Sequence, residues 1–448
     1  MNKKITIFFL ALIFLSNCSF DNKTGIWSGD ESEKRRISEL EKKQKETIST
    51  DIIFSSDKIY KVDKNLVKKI NLSQPIKNFS WETHSLNNQN FIGNLYLSGS
   101  KNRFLKKKIG KNKHSTSKIS SSPLIYNNNI FLADNNGTIF KVDKNGSVNW
   151  KVNIYKKIYK KVYKNLTFSI YKNKIFLADN IGFVYALNPD NGKLVWIKNH
   201  GIPFKSRIKV SKDKIVLINQ DNRLLCFDIK DGSVIWDVRS IESFIKSQNF
   251  LSVAITEQGD VLTSNSTGEL FKVSILNGQM YWSINTLESM LAHATDFFKS
   301  SDIVIDNNNI IFSTQSSTFS YNLEEGYANW QTEISSVGAP IINQNYIFLV
   351  TENGYFSILE KDTGKIVSST NIFKVLKKKK QATKVTGFIM GSGKIYTVTL
   401  NGYLIISSAS TGKVENFKKI GDSITSSPVI NDGKIFVYTM DSKLLGFN

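Results

Sequence analysis

The most reactive side chains of this chain are two cysteines and four histidines, and their spacing limits the chemistry available to them. No Cys-x-x-Cys-His haem motif, Gly-rich phosphate loop or nucleophile elbow occurs in the sequence. The four histidines are isolated and lack the spacing of metal ligands: they are His84, His114, His200 and His293. We therefore expect no metal and no cofactor.

One cysteine is placed for covalent modification. An unbroken apolar stretch over residues 5–15 follows two lysines; it is too short to span a bilayer and is typical of a signal peptide. Cys18 comes just after this stretch and resembles the lipidated cysteine of a bacterial lipobox, although Asn17 stands where a small residue is usual. Ser19 favours retention in the outer membrane. We predict a signal peptide over 1–17 and a lipid on Cys18; an ordinary signal peptide is the alternative.

One sequence pattern occurs eight times and covers about three quarters of the chain. The hexapeptide at 130–135 returns unchanged at 175–180, and the Ser-Pro pair of the first copy returns in the last, at Pro428. Periods of about 40–50 residues built from short strands and turns are typical of β-propeller blades. We therefore predict an all-β fold, an eight-bladed β-propeller of four-stranded antiparallel blades.

Turn residues divide each copy into four strands. In the first copy, Asn residues at 127–129 indicate a hairpin turn, and Lys-Asn-Gly at 144–146 indicates another. Between them, Asn136-Gly137 predicts a turn of type I′ geometry.

Two further residue types fit this repeat. Cys226 lies in an apolar run, which predicts a buried side chain rather than a reactive thiol. Aspartates recur at the ends of strands, which favours a role in turns over catalysis. These aspartates are Asp134, Asp179 and Asp228.

A tryptophan marks the fourth strand of five copies. A large ring with one N–H donor is suited to fill the wedge between neighbouring blades and to bond to a backbone carbonyl; stacking against a ligand is the alternative. The sixth and seventh copies have Val367 and Val414 near this position. The five tryptophans are Trp150, Trp196, Trp236, Trp282 and Trp330.

The eighth copy stops at Asn448 before a fourth strand. Because an open ring would leave a strand edge unpaired, we predict that an N-terminal strand closes it. Residues 104–110 are assigned to this strand, with the stretch around Trp81 as the alternative. We predict a lipidated N-terminus and flexible charged tether over 18–73, and the propeller over 74–448.

The Gly and Trp blade endings resemble the pyrroloquinoline-quinone-like repeat family. Within it, residues 75–448 resemble the BamB family of outer-membrane β-barrel assembly lipoproteins, including the phrases that begin at Gly338 and Ser426. The resemblance implies a non-enzymatic scaffold, lipid-anchored at the periplasmic face of the outer membrane. It also implies binding to the periplasmic domains of the barrel-inserting protein, to companion lipoproteins and to unfolded outer-membrane protein clients.

The same resemblance implies where the partner binds. In that family, loops between consecutive blades on one side of the ring meet the partner, one with two apolar residues followed by a basic one and the next with an acidic residue. The matching positions here are Phe244, Ile245 and Lys246 after the third copy and Asp296 after the fourth. An exposed Phe-Ile pair is suited to such a contact; packing in the core is the alternative.

Two other classes of function stay open at this stage. A periplasmic propeller can bind a small molecule or polysaccharide in its central channel, which a polar ring in the channel would favour. A quinoprotein dehydrogenase also has eight tryptophan-bearing blades, and a calcium ion would favour it. Such enzymes commonly have a vicinal Cys pair beside the cofactor, and this chain has none.

The formal charge of +22 does not by itself indicate nucleic-acid binding, since an exported lipoprotein does not meet nucleic acid and the basic residues are scattered. Two clusters stand out. Residues 155–164 alternate lysines with apolar side chains at the spacing of one helical face, and Lys377–Lys380 form a second run. We predict that both extend the rim and contact anionic headgroups or an acidic partner; solvated insertions are the alternative.

Overall fold

A computed structural model describes residues 70–112, 121–240, 250–286, 300–377 and 383–448, with two short strands nearer the N-terminus. The chain divides into two compact units, 1–61 and 62–448. In the first unit, β1 (Ser19–Phe20) pairs antiparallel with β2 (Trp27–Ser28), which places Phe20 opposite Trp27.

The second unit contains eight four-stranded antiparallel sheets, or blades. An N-terminal strand, β3 (Arg103–Lys108), precedes the first blade. Blade 1 consists of β4 (Leu124–Tyr126), β5 (Asn129–Ala133), β6 (Ile139–Asp143) and β7 (Val148–Val152). Blade 2 consists of β8 (Leu166–Tyr171), β9 (Lys174–Asp179), β10 (Phe183–Leu187) and β11 (Leu194–Asn199). Blade 3 consists of β12 (Lys209–Ser211), β13 (Lys214–Ile218), β14 (Arg223–Asp228) and β15 (Val234–Arg239).

The remaining blades repeat this order. Blade 4 consists of β16 (Val253–Ile255), β17 (Asp260–Ser264), β18 (Glu269–Ser274) and β19 (Met280–Asn285). Blade 5 consists of β20 (Val304–Asp306), β21 (Asn309–Ser313), β22 (Thr318–Asn322) and β23 (Ala328–Thr332). Blade 6 consists of β24 (Ile341–Asn343), β25 (Tyr346–Val350), β26 (Tyr355–Glu360) and β27 (Ile366–Asn371). Blade 7 consists of β28 (Val385–Gly391), β29 (Lys394–Thr399), β30 (Tyr403–Ser408) and β31 (Val414–Lys419). Blade 8 consists of β32 (Val429–Asn431), β33 (Lys434–Tyr438) and β34 (Lys443–Phe447), completed by β3.

Burial changes from the inner to the outer strand of each blade, which explains the sequence pattern. In blade 2, five of six residues of the inner strand β8 are buried, whereas five of six residues of the outer strand β11 are exposed. The middle strands pack between two neighbouring blades and therefore read as continuous apolar runs, as strands buried on both faces do. Cys226 lies in such a strand, fully buried as predicted, and burial raises the pKa of its thiol to about 12.

The predicted turns are present, but the type I′ geometry lies at a different turn. Asn127 and Asn128 both have positive φ, as a type I′ turn requires. In the Asn136-Gly137 turn only the glycine has positive φ, because the Asp134 carboxylate accepts from the backbone N–H of Asn136 and holds that residue in an ordinary conformation. The prediction of type I′ geometry at Asn136-Gly137 was wrong.

The recurring aspartates shape turns, as predicted. Asp179 Oδ1 accepts from the backbone N–H groups of Ile181, Gly182 and Phe183, each at 2.9 Å. These bonds satisfy three donors that the tight turn leaves unpaired.

Each of the five tryptophans bonds its own blade to the next one. Trp236 Nε1 donates to the carbonyl of Ile275 in blade 4 at 2.9 Å, and its ring lies against Gly278, where an added Cβ would come within 2.9 Å. The predicted wedge role is confirmed. The other four indoles donate across blades over 2.8–3.2 Å to the carbonyls of Pro189, Ile229, Leu323 and Lys361.

Blades 6 and 7 use small polar residues at this position. Opposite the third strand, Ser368 and Asn416 occupy the register that tryptophan occupies elsewhere. Val367 and Val414, which were expected near this position, come shortly before them in the sequence. Ser368 Oγ lies against Gly412 of the next blade. A smaller side chain therefore fills the wedge between blades 6 and 7.

The ring closes through β3. It pairs antiparallel with β34, which places Leu105 opposite Gly446, and the side chain of Leu105 is buried. The assignment of residues 104–110 to the closing strand is confirmed. The alternative strand around Trp81 instead bridges the inner edge of blade 1, where the backbone N–H of Trp81 donates to Ile125 O at 2.7 Å.

Residues 73–98, here called the cap, form no blade and instead contact the inner strand of every blade. Because the inner strands surround the propeller axis, a segment bonded to all eight must cross that axis. The cap's hydrogen-bond partners, in blade order, are Ile125, Ile170, Val210, Ile255, Ile305, Asn343, Met390 and Ile430.

Most of these bonds lie near the C-terminal end of the inner strand, next to the turn that leads into the second strand. Examples are Ile255 N–H to Asn88 O at 2.9 Å and Asp432 N–H to Asn78 O at 2.9 Å. The cap therefore closes the channel on this side. The connections between blades enter the inner strands at their other end, so the channel opens on the connection side.

The inter-blade wedge predicts a stability difference within one strand. Replacing the buried Trp236 by alanine (W236A) removes a large ring and one hydrogen bond, so we expect a loss of about 3–5 kcal/mol in the free energy of unfolding. The exposed neighbour Ile235 is the control, and I235A should change stability by about 0.5 kcal/mol or less. Urea denaturation followed by circular dichroism measures both. Equal losses for the two variants would contradict the wedge role.

Candidate functional site: the axial cavity and the connections between blades

The residues predicted to bind the partner lie in two connections between blades. Phe244, Ile245 and Lys246 fall between β15 and β16, and Asp296 falls between β19 and β20. All four lie outside the described residues, as does Cys18. The described residues that flank these connections are the ends of β15 and β19 and the starts of β16 and β20, which lie on the connection side of the ring.

A cavity of about 590 Å³ occupies this open part of the channel. Its floor is formed by the cap through Trp81, His84, Ser85 and Ile92. Its wall consists mainly of residues that lead into inner strands, and serine and threonine are the commonest residue types in it. The wall serines and threonines are Ser122, Ser300, Ser301, Thr314, Ser335, Ser336, Thr386, Thr425 and Ser427.

Four ionisable side chains meet where the floor joins blades 3 and 5. His84 Nε2 lies 3.0 Å from Asp302 Oδ2, and Arg207 Nε lies 3.8 Å from Asp302 Oδ1. The buried Lys209 ammonium donates to the carbonyls of His84 at 3.1 Å and Asn87 at 2.6 Å. The cluster therefore attaches the cap to two blades through charged groups.

Burial sets the protonation of this cluster. Burial and the neighbouring Arg207 charge lower the pKa of His84 to about 4, so the imidazole is neutral at pH 7. Burial also lowers the pKa of Lys209 to about 7. Burial favours the protonated form of Asp302, but His84 and Arg207 outweigh it and hold the pKa of this carboxyl well below its usual value.

Sequence reasoning missed this cluster. The four histidines are far apart in the sequence, and the partner of His84, Asp302, lies 218 positions away from it. An unusual run of polar residues at 82–90, without repeat periodicity, was the available signal. Among the described residues, no group of three His, Cys, Asp or Glu side chains is arranged to hold a metal ion.

The lysine-rich connection over 155–164 forms only a 3₁₀ turn at Lys157–Tyr159. It is fixed at both ends: the buried Tyr155 hydroxyl donates to Asp179 Oδ2 at 2.5 Å, and the Lys164 backbone N–H donates to Asn135 O at 3.0 Å. Between these anchors Ile158 is 76% exposed. The exposed cations there are Lys156, Lys157, Lys160 and Lys161. A solvent-facing basic patch results, rather than a continuous amphipathic helix.

The second lysine run begins at Lys377, just after a 3₁₀ turn at Ile372–Val375. Lys378–Lys380 lie outside the described residues. In the part of the chain that the structure describes, no helix has the length and apolar character needed to cross a membrane.

The neutral His84 predicts how stability depends on pH. Its pKa is about 4 in the folded protein and near 6.5 when unfolded, so between these values only the unfolded chain takes up the proton. Stability is therefore lost as pH falls from about 6.5 to 4, by up to about 3 kcal/mol. His84→Gln removes this contribution. Urea denaturation at several pH values should show a shallower acid loss for H84Q than for the unchanged protein; parallel curves would contradict it.

Comparison with solved structures shows the fold. The structure is similar to BamB from Moraxella catarrhalis, with a TM-score of 0.63 at 12% identity, over 78% of this chain and 99% of that one. It is also similar to a quinohemoprotein alcohol dehydrogenase from Comamonas testosteroni, with a TM-score of 0.60 at 11% identity, over 82% of this chain and 80% of that one. At such identities the likeness establishes the propeller architecture alone.

Sequence comparison adds a relative and a family. The chain is 22% identical over 214 residues to the outer membrane protein assembly factor BamB of Moranella endobia, covering 42% of this chain and 52% of that protein. The chain spans about half the length of the curated relatives it matches. The family described as outer membrane protein assembly factor BamB matches residues 105–206 and 167–370, more than half of the chain. By this match, and by its eight closed blades, the chain belongs to the BamB family of PQQ-like repeat propellers.

Proposed function

We propose that this protein is a non-enzymatic scaffold lipoprotein of the machinery that assembles outer-membrane β-barrel proteins. The observation on which the proposal rests is the family match over residues 105–370 on a complete, closed eight-bladed ring. In this role it binds the periplasmic domains of the barrel-inserting protein, works beside companion lipoproteins and aids the delivery of unfolded clients.

The proposed location follows from the N-terminus. A lipid on Cys18 anchors the protein at the periplasmic face of the outer membrane, and residues 19–73 link this anchor to the propeller. The apolar stretch at 5–15, with a cysteine three residues beyond it, supports this part of the proposal.

The proposed partner surface is the connection side of the ring. Phe244 and Ile245 supply apolar contact, Lys246 supplies a cation, and Asp296 supplies an anion in the next connection. These residues belong to two consecutive connections, and contact sites of this composition concentrate binding energy in a few side chains.

We also propose that the protein has no catalytic activity. The sequence has no haem-attachment motif and no vicinal Cys pair of the kind that quinoprotein dehydrogenases commonly have beside the cofactor. The similarity to an alcohol dehydrogenase, at 11% identity, extends to the architecture and not to these motifs.

An affinity pull-down of the natively lipidated protein from solubilised membranes, read by mass spectrometry, tests the scaffold role. We expect recovery of the barrel-inserting protein, and about tenfold lower recovery with the double variant F244A/I245A or with Asp296→Lys, since loss of a central contact costs about 1–2 kcal/mol or more. Phe79→Ala is the matched control, because Phe79 is 68% exposed but belongs to the cap on the opposite side. Failure to recover the barrel-inserting protein would overturn the scaffold role.

Lipidation has its own test. Cys18→Ser removes the only thiol near the N-terminus, so we expect no incorporation of labelled fatty acid and release of the protein into the soluble periplasmic fraction. Cys226→Ser is the control, since the buried Cys226 should leave both results unchanged. Labelling that persists in C18S would contradict the anchor.

A further inference from the structure

We infer that the axial cavity is a binding site for a small carboxylate ligand with a hydroxyl or amide N–H beside the carboxylate. Acidic sugars and acylated amino acids share this chemistry. The inference goes beyond the scaffold role, because it concerns the axis of the ring and not the loops that meet a protein partner.

The cavity has the form of a ligand pocket. Ligand sites of small molecules are concave and usually measure about 300–1,000 Å³, and this cavity measures about 590 Å³. The cap closes its floor, so the cavity is a pocket with one mouth and not a through-channel. The rings of Trp81, Phe250 and Phe388 line it together with the serine and threonine hydroxyls. Such walls suit a ligand that has both hydroxyl or amide groups and an apolar face.

Arg207 supplies the anion-binding group. Its guanidinium lies over the Phe250 ring, with Cζ 5.1 Å from the ring centroid. Within the described part of the protein it makes one ion pair, through Nε to Asp302 at 3.8 Å, and no hydrogen bond. The N–H donors of both Nη atoms are therefore uncommitted in a cavity wall. A guanidinium held in this way presents a planar fork that matches a carboxylate.

Asp302 offers a free acceptor to a hydrogen-bond donor of the ligand that lies beside the ligand carboxylate. Its Oδ2 atom is occupied by His84 at 3.0 Å and by Ser85 Oγ at 3.4 Å. Its Oδ1 atom faces Arg207 Nε and accepts no hydrogen bond from any described residue. An O–H or N–H next to the bound carboxylate would fill this acceptor. A simple carboxylate such as acetate would leave it empty.

Two residues of the cavity lining carry buried polar atoms that lack partners, which supports the same conclusion. Trp81 is 3% exposed and Ser336 is 8% exposed, yet Trp81 Nε1 and Ser336 Oγ have no hydrogen-bond partner among the described residues. A buried donor without a partner costs about 1–3 kcal/mol. A ligand oxygen in the cavity would remove this cost. The other charged pair of the lining, Lys384 and Glu352, is already joined at 2.8 Å and needs no ligand.

Isothermal titration calorimetry of the full mature protein tests the inference with four probes. N-acetylglycine and D-glucuronate carry the carboxylate, and N-acetylglycinamide and D-glucose are their neutral counterparts. We expect at least one acid to bind about tenfold or more tightly than its neutral counterpart. Preference for glucuronate assigns an acidic sugar, and preference for N-acetylglycine assigns a peptide-like acid. No heat with either acid at about 10 mM, or equal binding of acid and neutral probe, would overturn the inference.

Three variants assign the binding to the guanidinium. Arg207→Lys keeps the charge but loses the planar fork, and we expect about tenfold weaker binding; Arg207→Met should abolish it. Arg239→Met is the control, since Arg239 is exposed on the outer strand β15. Melting temperatures establish that each variant is folded, and R207K keeps the test valid if R207M is not. Binding by R207K that equals that of R239M would contradict the assignment.

An NMR measurement reports the cavity directly. The indole N–H signal of Trp81, assigned by its loss in Trp81→Phe, should shift when an acid probe binds, because the unpartnered donor gains an acceptor. The indole signals of Trp196 and Trp330, which already donate to carbonyls, should stay in place. A Trp81 signal that does not move at saturation would place the ligand elsewhere.

Discussion

The pairing of β3 with β34 is the contact on which the rest of the ring depends. It joins residues 103–108 to residues 443–447 near the C-terminus, so that blade 8 has four strands like the other seven and β34 is not left as an unpaired edge. Every inter-blade wedge then lies between two complete blades. Without this pairing, blade 8 would expose β34, and the eighth wedge would have no partner strand to fill it.

Closure also fixes the place of the cap. The cap directly precedes β3, and its polar and backbone groups bond to the inner strand of each blade, so it is held by the ring that it helps to complete. His84 of the cap contacts two blades: its ring bonds to Asp302 of blade 5, and its carbonyl accepts from Lys209 of blade 3. Buried charges seldom raise stability, but they need specific partners. This cluster is therefore suited to fix one position of the cap and one floor of the cavity.

The connection side of the ring combines three features that the sequence spreads along its length. The mouth of the cavity opens there, and the connections with the proposed partner residues begin and end there. The basic patch around Ile158 belongs to another of these connections. A partner seated on this side would cover the mouth of the cavity. A ligand in the cavity and a partner on this side would therefore lie next to each other, and each could affect the binding of the other.

The sequence by itself determined the repeat, and with it the fold. The repeat period, the turn residues and the tryptophans are local features that recur from blade to blade. The eight blades, the wedges between them and the closing strand near Leu105 could therefore be predicted. The site was not, because it belongs to no repeat. Arg207, Asp302 and His84 come from two blades and the cap, and only ring closure brings them within 4 Å. Sequence patterns report neighbours along a strand, whereas contacts across an axis depend on the geometry of the whole ring.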